Sequence, residues 1–206
     1  MSNFTARLIV SLILTPIILG IVVLGGWYFN SLLFIILVIG IYEIFLIKKF
    51  EIKILMLLFF LFFLYIFYFL RIIENNFQAI FICLFVTWSS DIGGFVFGKI
   101  LGGKKINIIS PNKTYFGFFG ALLLPQILNI YFFREGYFTD ASTNYYFFFI
   151  FYLSVAAVLG DLFFSYMKRV VNIKDYSRLI PGHGGLFDRI DGLIFVTILF
   201  FLLTSI

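Results

Sequence analysis

The sequence predicts an all-α protein, a polytopic membrane bundle of about seven transmembrane helices in a single domain. Its composition is the first reason: 63% of the 206 residues are hydrophobic and 12% are charged, whereas a soluble domain carries about 25% charged residues. The second reason is that apolar runs recur along the whole chain, many of them near the roughly 20 residues needed to cross a bilayer. A soluble protein with a large core is therefore excluded.

Seven apolar runs are candidate spans. They cover about residues 7–26, 31–47, 54–72, 77–98, 115–133, 145–167 and 190–206. The first run follows a basic residue, as in a signal peptide, but it has no clear cleavage site, so we expect a retained helix. The short connection at Gly25–Gly26 predicts a tight hairpin of the first two helices. We assign residues 1–206 to one membrane-embedded domain, with N-terminal helices in 1–75 and the helices and loops that carry the chemistry in 76–206.

The distribution of Lys and Arg predicts the orientation, because cytoplasmic loops collect basic residues. With the N-terminus in the cytoplasm, 13 of the 15 basic residues fall on that side, and Arg71 and Arg134 fall on the other. Two cytoplasmic loops, about 99–114 and 168–189, are basic and contain Gly and Pro. We expect anionic substrates from water to meet the membrane there. The net charge of +5 follows from this topology and does not indicate nucleic acid.

The sixth run carries a polar seam. Asp161, Ser165 and Lys168 are spaced i, i+4 and i+7, which places them on one stripe of a helix. A charged residue inside a membrane is costly and is by default a functional candidate. A structural intramembrane ion pair is one interpretation of this seam. We favour a metal ligand with phosphate-binding cations above it.

The stretch "PGHGGLFDRID" leads into the last run and carries two acids. Asp188 and Asp191 are spaced i, i+3 at the start of the predicted helix and share a face, and carboxylates are stabilised at a helix N-terminus. Helix capping explains one of them. Two such acids, with Asp161 entering from another helix, predict an oxygen-rich site for Mg²⁺, which typically takes one or two carboxylates plus water and substrate phosphates. A second cation, K⁺ or Mg²⁺, is a further expectation.

Glycines and basic residues surround these acids. Gly184 and Gly185 permit close backbone approach, and amides near a helix N-terminus bind anions. His183, the one histidine of the chain, cannot form a His-based metal site, and we expect it to contact a phosphate or a base. The other residues expected to bind substrate, most of them in the two basic loops, are Ser110, Lys113, Thr114, Ser165, Arg169, Lys174 and Arg189.

Two further acids lie near helix ends. Asp91, in "WSSDIGGFVFGK", sits among small residues, where helices approach closely, and is a weaker candidate for contact with a cation or a polar cavity. Glu43 lies near the cytoplasmic end of the second run. We interpret it as a membrane-interface carboxylate close to Lys48.

The segment Ser165–Asp191, "SYMKRVVNIKDYSRLIPGHGGLFDRID", resembles the signature of the phosphatidate cytidylyltransferases. The shared pattern is Ser-x-x-Lys-Arg, Lys-Asp, Pro-x-His-Gly-Gly and Asp-Arg-x-Asp. "SPNKT" and "SDIGGFVFGK" resemble two more motifs of that family, so the resemblance covers most of residues 88–206. Phe116 stands where the family usually has Glu. The chain is also shorter than most members, and we expect one or two N-terminal helices to be absent.

The resemblance implies that CTP and phosphatidic acid react to give CDP-diacylglycerol and pyrophosphate. The catalytic residues it implies are Asp161, Asp188, Asp191 and Lys168, the three acids holding Mg²⁺. Lys113, Lys168 and Arg169 are then expected to bind phosphates, and Arg189 to support the acidic pair. A homodimer is also implied. The Phe-, Ile-, Lys- and Asn-rich composition favours a bacterial inner membrane.

Three other functions compete with this interpretation. A CDP-alcohol phosphotransferase is rejected, because "LIFVTILF" follows "DRIDG" where that family needs Ala-Arg and further aspartates. A CTP-dependent polyprenol kinase uses related chemistry and remains an alternative. An ion-coupled transporter, from a different class, fits buried acids and glycine-interrupted helices. No internal repeat is evident, however, and the charges cluster at one face.

Overall fold

The fold was obtained as a computed structural model, which describes residues 3–73, 75–105, 113–134, 143–177, 179 and 184–204; side chains are described from residue 12 onward, except at 131–134 and 143–144. Within these ranges the chain forms seven α-helices and no β-strand. Their bounds are α1 Asn3–Leu24, α2 Gly26–Leu46, α3 Phe50–Tyr68, α4 Phe77–Leu101, α5 Tyr115–Arg134, α6 Thr143–Val170 and α7 Phe187–Thr204. Each predicted apolar run corresponds to one helix, so the all-α prediction is confirmed.

Among the described residues, four helical segments are long and apolar enough to cross a membrane: Gly26–Leu46, Phe50–Ile73, Phe77–Leu101 and Tyr145–Val170. Leu12–Leu24 and Tyr115–Ile130 are shorter apolar helical segments. The outer surface is itself apolar, with Trp27 82% and Phe45 72% exposed. Large exposed apolar surfaces on this scale mark contact with lipid rather than water. The molecule is therefore a polytopic integral membrane protein.

An aromatic core fixes the beginning of α7. Phe60 of α3, Phe164 of α6 and Phe187 of α7 are all fully buried. The Phe187 ring lies edge-on to Phe60 at 5.1 Å between centroids and stacks on Phe164 at 5.9 Å. Such aromatic pairs contribute about 0.5–1.5 kcal/mol beyond their burial. The first residue of α7 is thereby packed against two other helices.

Glycines let two pairs of helices pack backbone to backbone. A Cβ on Gly117 of α5 would lie 2.9 Å from the carbonyl oxygen of Gly94 on α4. A Cβ on Gly160 of α6 would lie 2.7 Å from the carbonyl oxygen of Asp191 on α7. Small residues permit this close approach of helices in membranes. The α6–α7 contact places Asp161, the neighbour of Gly160, beside Asp191.

Arg71 ties two helix ends together on the side of the bundle where α1 ends. α3 continues into a π-helical turn, Phe69–Ile73, which buries Arg71. Its guanidinium donates to the carbonyl oxygens of Val22 (2.7 Å) and Val23 (2.9 Å) and to Oδ1 of Asn75 (2.7 Å). The last carbonyls of a helix lack partners within the helix, and its C-terminus favours a cation. Arg71 therefore caps α1 from the end of α3.

Candidate functional site

A cavity of about 440 Å³ lies between α4, α5 and α6, at the end of the bundle where α4 ends and α5 begins. Its volume falls within the range of small-molecule sites, about 300–1,000 Å³. Its polar lining comprises Ser90, Asp91, Lys99, Lys113, Thr114 and Asp161. The remaining walls are glycines and apolar side chains such as Phe95, Phe118 and Leu162. The cavity therefore joins charged groups to a lipid-like environment.

Asp161 and Lys113 form an ion pair in this cavity. Oδ2 of Asp161, on α6, pairs with Nζ of Lys113, which lies just before α5. The two side chains are 29% and 32% exposed, so both remain accessible from the cavity. Ser165 Oγ lies 3.5 Å from the other oxygen, Oδ1. The structure thus brings Asp161 and Ser165 together, as the helical spacing predicts, and adds Lys113 from a distant loop.

Three acids from three helices lie within electrostatic range of one another. Asp191 of α7 interacts electrostatically with Asp161 of α6 and with Asp91 of α4. Asp91 lines the cavity and also interacts with Lys113 and Arg189. Like charges that interact in this way disfavour each other's ionised form, and a nearby cation relieves that repulsion. Asp91, a weaker candidate on sequence grounds, therefore belongs to the same cluster as Asp161 and Asp191.

Asp188 is bonded differently from the other predicted metal ligands. Its Oδ1 accepts a hydrogen bond from Lys168 Nζ at 2.7 Å, and the Asp188 side chain is 4% exposed. Its Oδ2 accepts from the backbone amides of Tyr176 (3.0 Å) and Gly185 (2.9 Å). Both oxygens are thus used by donors of the protein. Lys168, predicted to sit above Asp161 on its stripe, is turned to Asp188 and joins α6 to α7.

Tyr176 packs beneath this ion pair, in the loop between α6 and α7. Lys168 Nζ lies 5.6 Å from the centroid of the Tyr176 ring, and the phenol donates to the carbonyl oxygen of Phe164 at 3.1 Å. Burial raises the pKa of Tyr176 well above its usual value, and the charges of Asp188, Asp191 and Glu43 raise it further. The phenol therefore stays protonated and acts as a hydrogen-bond donor.

Glu43 is the residue that the sequence interpretation placed wrongly. It is fully buried and bonded within the protein, and so is not exposed at the membrane interface. Its Oε1 accepts from Ser177 Oγ (2.7 Å) and the Leu186 amide (2.6 Å), and its Oε2 accepts from the Phe187 amide (3.0 Å). A charged residue inside an apolar run is a signal in itself. The sequence does not reveal the hydrogen-bond partners of Glu43, because Leu186 is 143 residues away along the chain.

The amides expected to cradle a substrate anion therefore have partners within the protein. The Gly185 amide donates to Asp188, and those of Leu186 and Phe187 donate to Glu43. Gly184 has a positive φ of 84°, a conformation that glycine adopts without steric cost. In the described part of this glycine-rich turn, the bound anions are the chain's own carboxylates.

The remaining predicted residues lie at the same end of the bundle or outside the described structure. Thr114 is buried, and its Oγ1 accepts from the Gly117 amide at 3.0 Å, so it caps the N-terminus of α5. Exposed basic residues are found at the end of α6, in the following loop and in the first turn of α7; they are Arg169, Lys174 and Arg189. Ser110 and His183 lie outside the described residues.

The model of the Cytidylyltransferase family matches residues 47–206. The chain belongs to this family. Phosphatidate cytidylyltransferase of Staphylococcus haemolyticus is 36% identical over 126 residues, which cover 60% of this chain and 47% of that protein. The enzyme of the same name from Helicobacter pylori is 39% identical over 121 residues, 57% of this chain and 43% of the relative. The predicted resemblance is thus confirmed, and the chain spans about half the length of the curated relatives it matches.

The match with the cytidylyltransferases contains the whole cavity and all three acids of the cluster. It begins directly after α2 and runs through α7, so it includes the cluster acids Asp91, Asp161 and Asp191, and also Asp188. Glu43 lies just before its first residue. The carboxylate that accepts from the Leu186 and Phe187 amides therefore lies on a helix outside the matched region.

Proposed function

We propose that this protein is a phosphatidate cytidylyltransferase, which joins CTP to phosphatidic acid and releases pyrophosphate. The observation that carries the proposal is the cavity between α4, α5 and α6, where Asp91, Asp161 and Lys113 meet apolar walls, in a chain of the cytidylyltransferase family. A soluble polyphosphate and a lipid phosphate react where charged groups border the hydrocarbon. The cavity has this composition, and the curated relatives carry the name of this activity.

The proposed reaction makes one bond and breaks one. An oxygen of the lipid phosphate attacks the α-phosphorus of CTP, and the bond from that phosphorus to the oxygen of the β-phosphate breaks. Pyrophosphate leaves with the bonding electrons. A phosphate monoester has its second pKa near 6, so the nucleophile is largely ionised at neutral pH and requires no strong base. The protein then contributes mainly positioning and charge stabilisation.

Lys113 and Asp161 supply the first part of this role. Their side chains pair with each other inside the cavity and are partly exposed. An incoming phosphate competes with Asp161 for the ammonium group of Lys113, since both are anionic oxygen acceptors. Exposed cations at the end of the bundle where the cavity lies attract the polyphosphate; they are Arg169, Lys174 and Arg189.

The donor set fits Mg²⁺. Among the described residues no three acids converge closely enough to make a metal site from protein groups alone. Mg²⁺ does not require that, because it usually takes one or two carboxylates together with phosphate oxygens and water. Asp161 and Asp191 would hold it, Asp188 would support them through Lys168, and Asp91 is the carboxylate left for a second cation, K⁺ or Mg²⁺. Bound Mg²⁺ supplies neutralisation of phosphate charge and polarisation of the α-phosphorus.

We also propose a cellular location and an oligomeric state for the protein. The asymmetry of Lys and Arg supports a cytoplasmic position of the cavity, and the bacterial relatives support an inner membrane. Substrates are then CTP from the cytoplasm and phosphatidic acid from the bilayer. A homodimer is proposed from the family resemblance, and light scattering of the detergent-solubilised chain measures it.

The deciding experiment follows products from the purified chain in phosphatidate–detergent micelles. With CTP and Mg²⁺ we expect equal amounts of pyrophosphate and CDP-diacylglycerol, and neither when phosphatidate or Mg²⁺ is omitted. A polyprenol kinase would instead release CDP from CTP with a polyprenol acceptor. A transporter would give substrate flux in proteoliposomes and no pyrophosphate. Either of these results in place of the first overturns the proposal.

A further inference from the structure

Glu43 is a fully buried carboxylate to which the proposed reaction gives no role. It lies on α2, near the end of an otherwise apolar helix. Among the described residues the two ion pairs are Lys113–Asp161 and Lys168–Asp188, so the partners of Glu43 there are hydrogen-bond donors. Three donors, of Ser177, Leu186 and Phe187, point at its two oxygens. A group so costly to bury and so fully bonded calls for a specific explanation.

Two of those donors belong to the start of α7. The amides of Leu186 and Phe187 precede the helical hydrogen-bond ladder, so the helix itself does not satisfy them. A carboxylate there also interacts favourably with the positive end of the helix dipole. Glu43 therefore acts as an N-terminal cap that another helix supplies.

Packing around Gly185 shows how little room this anchor leaves. A Cβ at Gly185 would lie 2.5 Å from Oε1 and 2.8 Å from Cδ of Glu43. On its other side, the Gly185 amide donates to Asp188 Oδ2 at 2.9 Å. The turn before α7 is thus clamped between a carboxylate of α2 and a carboxylate of α7 itself.

We propose that Glu43 is a positioning residue for the reaction: it anchors the first turn of α7 and so fixes how this helix presents Asp188 to Lys168 and Asp191 to the cavity cluster. The inference rests on the proposed function. Asp191 follows Phe187 by about one helical turn, so movement of the anchored turn moves Asp191 with it. A misplacement of about 1 Å at reacting groups can cost about 10²-fold in rate.

Three variants test this inference. Glu43→Gln keeps the shape but turns one acceptor oxygen into a donor group, which then faces an N–H or O–H donor. Glu43→Asp keeps the carboxylate and shortens its reach by one methylene. Glu51→Gln is the matched control, because Glu51 is an exposed acid in the first turn of the neighbouring helix α3.

The measurements are kcat per folded molecule, KM for CTP, and hydrogen exchange of the amides at 184–190. For Glu43→Gln we expect kcat to fall at least about tenfold, with KM for CTP within about threefold of wild type, the pattern of a change felt in the transition state. Glu43→Asp should lie between Glu43→Gln and wild type. Exchange at Leu186 and Phe187 should rise in both variants, while Glu51→Gln behaves as wild type.

A purely structural role would reduce the yield or the melting temperature and leave kcat per folded molecule unchanged, and that result overturns the inference. If Glu43→Gln does not fold, Glu43→Asp decides: a lowered kcat supports positioning, and a wild-type kcat overturns it. If the wild-type chain releases no pyrophosphate, the proposed function fails. Exchange at 186–187 then still decides whether Glu43 anchors α7.

Discussion

Two buried charges, one toward each end of the bundle, use the same chemistry. Arg71 extends from the end of α3 to the last carbonyls of α1, and Glu43 extends from α2 to the first amides of α7. Each side chain carries the charge that is favoured by the helix terminus it contacts: a cation at the C-terminus of α1 and an anion at the N-terminus of α7. The cavity of about 440 Å³ lies at the Glu43 end, and the helix that Glu43 anchors also carries Asp191.

The two anchored helices differ in the residues that they contribute beyond the capped terminus. α1 presents its terminal carbonyls to Arg71, and that contact ties two helix ends together. α7 presents its terminal amides to Glu43 and then contributes Asp188 and Asp191 to a charged network with α6 and α4. One kind of cap thus serves stability at one end and, by our inference, the geometry of a site at the other. Substitutions at the two ends should separate these effects.

The largest effect is expected from Asp161→Asn. It removes the charge of the cavity-lining acid that pairs with Lys113, and the loss of such electrostatic stabilisation should lower kcat by about 10³-fold. The melting temperature should change little, because the side chain is 29% exposed and Asn keeps one acceptor. Pyrophosphate release and thermal unfolding in detergent measure both quantities. A rate close to wild type would remove Asp161 from the site.

Arg71→Met should act on stability alone. It leaves the buried carbonyl of Val22 and the part-buried carbonyl of Val23 without their donors, and hydrogen bonds to charged groups contribute about 1.5–3 kcal/mol each. We expect the melting temperature to fall by at least about 4 °C, with kcat per folded molecule unchanged at a temperature below the transition. Lys48→Met, at an exposed position, is the control. A loss of kcat like that of Glu43→Gln would contradict the separation of the two ends.

Gly120→Ala tests the close contact of α4 and α5. The new Cβ would clash with the side chain of Phe97 and lie 2.6 Å from the carbonyl oxygen of Gly93. Overpacking of this kind costs about 1–3 kcal/mol. Gly20→Ala is the matched control, because no heavy atom lies within 4 Å of its Cβ, and its effect should stay within about 0.5 kcal/mol. Equal melting temperatures for the two variants would contradict the α4–α5 contact.

The smallest effect is expected from Ser177→Ala. It removes one of the three hydrogen bonds to Glu43 and leaves both amides of α7 in place. One such bond contributes about 1 kcal/mol, so kcat should fall by no more than about fivefold. The same pyrophosphate assay measures it. A loss as large as that of Glu43→Gln would mean that the hydroxyl, rather than the helix amides, sets the position of Glu43.

The positions of the helices followed from local sequence. The run predicted at 115–133 is the helix Tyr115–Arg134, and the run at 77–98 is Phe77–Leu101. The length of an apolar run is a local property that the thickness of the bilayer constrains. The run at 54–72 shows the limit of this reasoning, since it ends in the π-helical turn Phe69–Ile73. That turn brings Arg71 to the carbonyls of α1, a contact that no local pattern encodes.

The sequence alone determined the class of the protein, its family, and the order and approximate bounds of its helices. It also determined that Asp161 and Ser165 meet on one helix. These properties depend on composition, motifs and periodicity, which act over short distances along the chain. Tertiary structure decided which charges meet. Lys113 and Asp161 are 48 residues apart, Lys168 and Asp188 are 20 apart, and Glu43 and Leu186 are 143 apart. Those contacts depend on how helices cross at glycines and aromatic rings, and a linear pattern of residue types does not specify such crossings.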